Sequence, residues 1–153
     1  MKLTATSLKR LLNFYPPYLG AGVKVSYISK DWTELHVSMK LRWFNRNAVG
    51  THFGGSLYSM IDPHLMLLLM QLLGDKYLVW DKAAEIEFIK PGKRKVISIL
   101  KISSVDLNEI KRQTDNGEKY FPEFFVEIKD ENNDLIAKVK KTLYVKKKGY
   151  HSR

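Results

Sequence analysis

In "TELHVSMKLRW", Leu35, Val37, Met39, Leu41 and Trp43 alternate with His36, Ser38, Lys40 and Arg42. A period of two is that of a strand with one buried and one wetter face. "GVKVSYIS" before it predicts a second strand, and Ser7 to Phe14 a helix ending ahead of Pro16 and Pro17, which cannot extend it. Further on, "YLVWDKAAEIEFIKPG" predicts a strand ending at Pro91-Gly92, and "KVISILKISSV" another. Asp106 and Glu109 have capping-box spacing, which predicts a short helix from there to the turn "TDNGEK". "YFPEFFVEIKDENND" and "LIAKVKKTLYVKK" predict a hairpin turning at Asn132-Asn133-Asp134. Between the two halves lies the most apolar stretch, "SLYSMIDPHLMLLLMQLLG", a helix that is apolar almost all round.

The order is a helix, two strands, one long apolar helix and about four strands, joined by turns rather than helical crossovers. Such connections favour an antiparallel sheet. A helix apolar on most faces must be buried on most of them. A curved antiparallel sheet wrapped around one central helix meets both demands, which is the α+β arrangement called the hotdog fold. With 153 residues and no repeat or linker, we expect one domain with an N-terminal helix and a short basic C-terminal tail.

Composition narrows the chemistry. Without cysteine, neither disulfides nor thiol chemistry are open to the chain. The N-terminal residues lack the apolar stretch and cleavage site of a signal peptide, and the run Leu65 to Leu73 is too short to span a bilayer. A cytoplasmic protein that does not insert into membranes is the expectation. His36, His64 and His151 show no metal-ligand spacing. The formal charge of +10 gathers towards "KVKKTLYVKKKGYHSR", read first as a solvated last strand and tail.

The candidate chemistry lies in "NAVGTHFGGSLYSMIDP". Gly54 and Gly55 stand directly ahead of the apolar helix, whose first amides are unpaired and carry partial positive charge. Such an end suits a phosphate or the oxyanion of an attacked carbonyl, and equally an ordinary glycine turn. Asp62 has two readings. It caps a helix that begins at Pro63, or it lies on a helix from about Ser56 to Leu73 kinked at Pro63. In the second case it faces a cleft as a poorly solvated carboxylate with a raised pKa suited to base catalysis.

Asn47, Gly50, Phe53, Gly54, Gly55 and Asp62 form N-x-x-G-x-x-F-G-G, with an acid seven residues after the second glycine. This resembles the hotdog-fold acyl-CoA thioesterases of the phenylacetyl-CoA thioesterase branch, whose pattern is N-x-x-G-x-x-H-G-G with an acid at the same spacing. "VWDKAAEIEFIKPGK" resembles the strand that follows their helix. "GTHFGGSLYSMIDP" also resembles a largely uncharacterised bacterial group of the same superfamily. The resemblance implies that the Gly55 N–H is the oxyanion donor, Asp62 the general base or nucleophile, and Asn47 the group orienting water or the acyl chain. His52, Phe53, Gly54 and Ser56 would line the substrate. Phe53 departs from the pattern, because phenylalanine cannot hydrogen-bond a thioester or shuttle a proton.

Seven helical residues span about 10 Å at 1.5 Å each, too far for Gly55 and Asp62 of one chain to serve one carbonyl. A site using both takes Asp62 from a second chain, and the resemblance likewise implies a site between subunits. We therefore expect a homodimer or dimer of dimers acting on acyl-CoA. Coenzyme A enters only as part of the substrate, and its phosphates would lie near Lys93 and Arg94. A non-catalytic acyl-CoA or lipid-like ligand binder is the alternative, favoured by Phe53. Nucleic acid is suggested by charge alone, with no aromatic-basic recognition motif, and is not expected as a partner.

Overall fold

The computed structural model describes residues 3–149. Helix α1 (Ala5–Asn13) begins at a capping box in which Thr4 and Ser7 satisfy each other's amides. Pro16-Pro17 ends it, and the same prolines open α2 (Pro16–Ala21), since their missing N–H costs nothing in a first turn. Strands β1 (Val23–Ile28) and β2 (Glu34–Met39) follow, then α3 (Gly54–Ser59) and α4 (His64–Leu73). The remainder is β3 (Tyr77–Phe88), β4 (Val96–Lys101), α5 (Ser104–Thr114), β5 (Lys119–Tyr120), β6 (Glu123–Asp130) and β7 (Leu135–Lys147).

All strand pairs are antiparallel, in the order β1-β2-β4-β6-β7-β3, with β5 also on β7. Leu35, Val37, Met39, Leu100, Val139 and Leu143 line the inner face of this sheet, packed against Met60, Ile61, Leu65, Leu68 and Leu69 of the helical stretch. This is the hotdog fold. Gly54–Leu73 has the length and composition of a membrane span, but here Leu65, Leu68 and Leu69 are fully enclosed by protein.

Three local expectations are corrected. β2 stops at Met39, and Leu41 and Trp43 do not continue its alternation; Trp43 is 82% exposed. The cause is Asn45, whose buried side chain accepts the Arg42 N–H at 2.7 Å and donates to the carbonyls of Lys40 and Ala21. Those bonds replace a ladder and turn the chain out of the sheet. Helix α5 starts ahead of Asp106, with its N-cap Ser103 three residues before it: the capping box is Ser103 with Asp106, and Glu109 instead binds Arg112 and Gln113. The apolar helix is two helices separated by a turn at residues 60–63, with a cis Asp62-Pro63 peptide. Asp62 caps neither of them. The end of the basic tail, including His151, lies outside the described residues.

Candidate active site

The loop before α3 is held by its own polar groups. Asn47 Oδ1 accepts the amides of Thr51 (2.9 Å) and Val49 (3.2 Å), while its Nδ2 donates to Thr51 Oγ1 (2.8 Å). Gly50 takes φ 81° at the turn, a backbone region that side-chain-bearing residues rarely enter. In this structure, then, the Asn47 side chain holds the loop. His52 is buried, and its Nε2–H donates to the Arg94 carbonyl at 2.7 Å. Burial pushes its pKa below that of an ordinary histidine, only partly offset by that bond. It belongs to the turn at Gly92, whose lack of a side chain admits the imidazole. The Lys93 and Arg94 side chains are exposed beside it.

Phe53 is the N-cap residue of α3, and its carbonyl accepts the amides of Ser56 and Leu57. The Gly54 and Gly55 amides therefore fall in the first turn, where no intrahelical acceptor exists. What approaches the glycines is two aromatic rings. A Cβ on Gly55 would meet Phe53 at 2.6 Å, and one on Gly54 would meet Phe88 at 2.8 Å. Both rings are 56% exposed, so they form an apolar rim over the helix start. Ser56 is buried, and Ser59 Oγ donates to the Gly55 carbonyl at 2.9 Å.

Asp62 sits past the far end of α3, and its carboxylate meets a lysine. Lys141, 1% exposed, reaches from β7 to place Nζ 2.5 Å from Asp62 Oδ1, 2.7 Å from Tyr58 Oη and 3.1 Å from Asp81 Oδ1. Tyr58 Oη donates back to Asp62 Oδ1 at 3.4 Å. Asp81 Oδ1 lies within ion-pair distance of the ammonium but outside hydrogen-bonding geometry. On the inner side Tyr18 donates to the Asp62 carbonyl at 2.5 Å and stands 3.3 Å from Nε2 of the fully buried His64.

The charges follow from this packing. Burial opposes the Lys141 ammonium, but its bonds to Asp62 and Tyr58 and its ion pair with Asp81 outweigh burial and raise its pKa. Burial also raises Asp62, yet the bond and charge of Lys141 prevail and hold the carboxyl below its usual range. Asp81 goes the other way: burial and the Asp62 charge keep it above the ordinary value. His64 is held neutral by burial, with a pKa near 3. The raised pKa expected for Asp62 is thus reversed, because an isolated cleft carboxylate was the wrong picture.

Neither Lys141, Asp81 nor Tyr58 figured among the candidates read from the sequence. Lys141 stands within a basic run that looks solvated, yet on β7 it shares one face with Val139, Leu143 and Val145. That alternation was the available signal. A surface groove runs over β3, β4, β6 and β7 and is not lined by Asp62, Asp81 or Lys141.

Residues 4–145 match the family described as Domain of unknown function (DUF4442), and the chain belongs to that family. No curated protein matches the sequence significantly. Among solved structures, the fold is similar to that of a Pseudomonas aeruginosa protein of unknown function named a probable thioesterase. That likeness has a TM-score of 0.77 at 14% identity, over 96% of this chain and 98% of the other. A thioesterase from Haemophilus influenzae is similar at TM-score 0.66 and 15% identity, over 100% and 97% of the two chains. Thioesterase superfamily member 2 from Mus musculus is similar at TM-score 0.66 and 16% identity, over 94% and 98%. At such identities the likeness is one of fold.

Proposed function

We propose that the protein is an acyl-CoA thioesterase whose site is shared between two chains of a dimer or dimer of dimers. One observation carries the reading: Asp62 presents an ionised carboxylate, 41% exposed, anchored from beneath by a buried ammonium. A salt bridge serving stability alone is better replaced by apolar packing, and it has no need to leave its acid open to solvent.

Asp62 either takes a proton from a water that adds to the thioester carbonyl or attacks that carbon itself. On either route the carbon–sulfur bond breaks, and coenzyme A leaves as the thiolate and takes up a proton; on the direct route water then hydrolyses the acyl–Asp62 anhydride, releasing the acid and restoring the carboxylate. The lowered pKa keeps Asp62 charged and makes it a weaker base, which tells against water activation more than against direct attack. The Gly55 N–H of the other chain would hold the oxyanion, since Gly55 and Asp62 of one chain stand at opposite ends of α3. β3, twelve residues long, pairs only with β7 among the described residues and leaves an edge on which a second copy can add. Phe53 and Phe88 would rim the acyl entrance with Gly54, His52 and Ser56 behind them, and Lys93 and Arg94 would meet the coenzyme A phosphates. No cofactor is needed, and the work would be cytoplasmic.

The test is a panel of acyl-CoAs assayed by free-thiol release. Wild type should turn over at least one of them, and Asp62→Asn should lose about a hundredfold or more, the usual scale for an acid–base group. Equal rates would remove Asp62 from the chemistry. The second reading, a non-catalytic acyl-CoA binder, rests on the Phe53 ring lying against Gly55 where a proton carrier is absent. It predicts retention of intact acyl-CoA in native mass spectra without thiol release.

A further inference from the structure

The group facing Asp62 from the sheet is a lysine only 1% exposed. Its ammonium has three oxygen partners drawn from separate elements: Tyr58 from α3, Asp62 from the turn after it, and Asp81 from β3. His64 of α4 and Tyr18 of α2 complete the groups that face Asp62, and both are uncharged. A buried charge costs several kcal/mol unless paired. A chain seeking stability alone would place Leu or Met on this face, as it does at positions 143 and 139 with Leu and Val.

We propose that Lys141 is a positioning residue for the thioesterase chemistry, pinning Asp62 through Oδ1 so that Oδ2 is presented to the substrate, with Asp81 as the second anchor that fixes the ammonium. The proposal rests on the thioesterase reading of Asp62. Tyr58 donates to the same oxygen, so two hydrogen bonds converge on Oδ1, with the Asp81 carboxyl close to that of Asp62. Asp81 is 24% exposed and competes for the same ammonium. With its pKa above the usual range and that of Asp62 below it, the two carboxyls titrate as a pair, Asp62 losing its proton first. At neutral pH the ammonium keeps Asp62 charged despite its like-charged neighbour.

The experiment is the pH profile of kcat/KM for wild type, Lys141→Met and Lys141→Arg on the best acyl-CoA, with carboxyl titration by carbon-13 NMR of wild type and Asp81→Asn. Without the cation, two neighbouring carboxyls face each other and one must be strongly raised. Lys141→Met should move the acid limb upward by about one pH unit or more and lower kcat about tenfold or more with KM little changed. Lys141→Arg should keep the limb near that of wild type. The NMR titration does not depend on Lys141→Met folding: it should show two coupled carboxyls with Asp62 the lower, reduced to one in Asp81→Asn. An unmoved acid limb in folded Lys141→Met, or Asp62 titrating above Asp81, overturns the proposal. Both results are separable from failure of the thioesterase reading, which is instead marked by full activity in Asp62→Asn.

Discussion

Asp62 shows how far a residue's neighbourhood can outrun its local sequence. Its spacing from Gly55 was legible, and so was its oddity in an apolar run. What decides its charge comes from Lys141 and Asp81, 79 and 19 positions away in the chain, joined to it only by the sheet. Asn47 makes the same point, since its candidate role in binding competes with four polar contacts inside its own loop. His64 gives a stability prediction at this scale. It is fully buried and neutral, with a folded pKa near 3 against an ordinary 6.5. Its folded-state pKa is depressed, so its contribution is present above pH 6.5 and is lost as pH falls towards 3. Between pH 7 and 4 this amounts to about 3 kcal/mol. Denaturant melts of His64→Gln, though less stable at neutral pH, should therefore show a flatter decline over that range. Parallel curves for the two proteins would contradict this.

At the scale of elements, period-two alternation located the strands because each buries one face, and the even apolarity of residues 56–73 located the central helix because it is enclosed. The misses arose where a side chain overrides the backbone pattern. Asn45 ends β2 early, and Ser103, an exposed serine in "ISSV", starts α5 earlier than the acidic pair suggested. The turn between α3 and α4 was half legible: Pro63 signalled a break, but the buried Tyr18 hydroxyl that braces the Asp62 carbonyl comes from a distant helix. Ser103→Ala removes the side-chain acceptor for the Asp106 amide and should cost about 1 kcal/mol of stability in urea melts. Asp106→Asn, which can still accept the Ser103 amide, should cost less. A reversed order would mean that the macrodipole, rather than the cap bond, dominates this terminus.

Over the whole molecule, the sheet wraps one helical stretch and leaves β3 as a long edge beside the candidate site. The two groups proposed to act on a thioester, Gly55 and Asp62, stand at opposite ends of α3, so the proposed site takes one from each of two chains. Gly55→Pro removes the proposed oxyanion donor in a helix first turn, a setting where Pro16-Pro17 of α2 is already accepted. The exposed Phe53 ring can swing aside to admit it. Asp62→Asn removes the acid at the other end. Each variant alone should be inactive. The two co-refolded in equal amounts should regain about a quarter of wild-type sites, because half the dimers then hold one intact Gly55–Asp62 pair across the interface. Thiol release by that mixture is the most direct measurement: recovery near a quarter is the result predicted here, and a mixture as inactive as its two components would contradict the shared site.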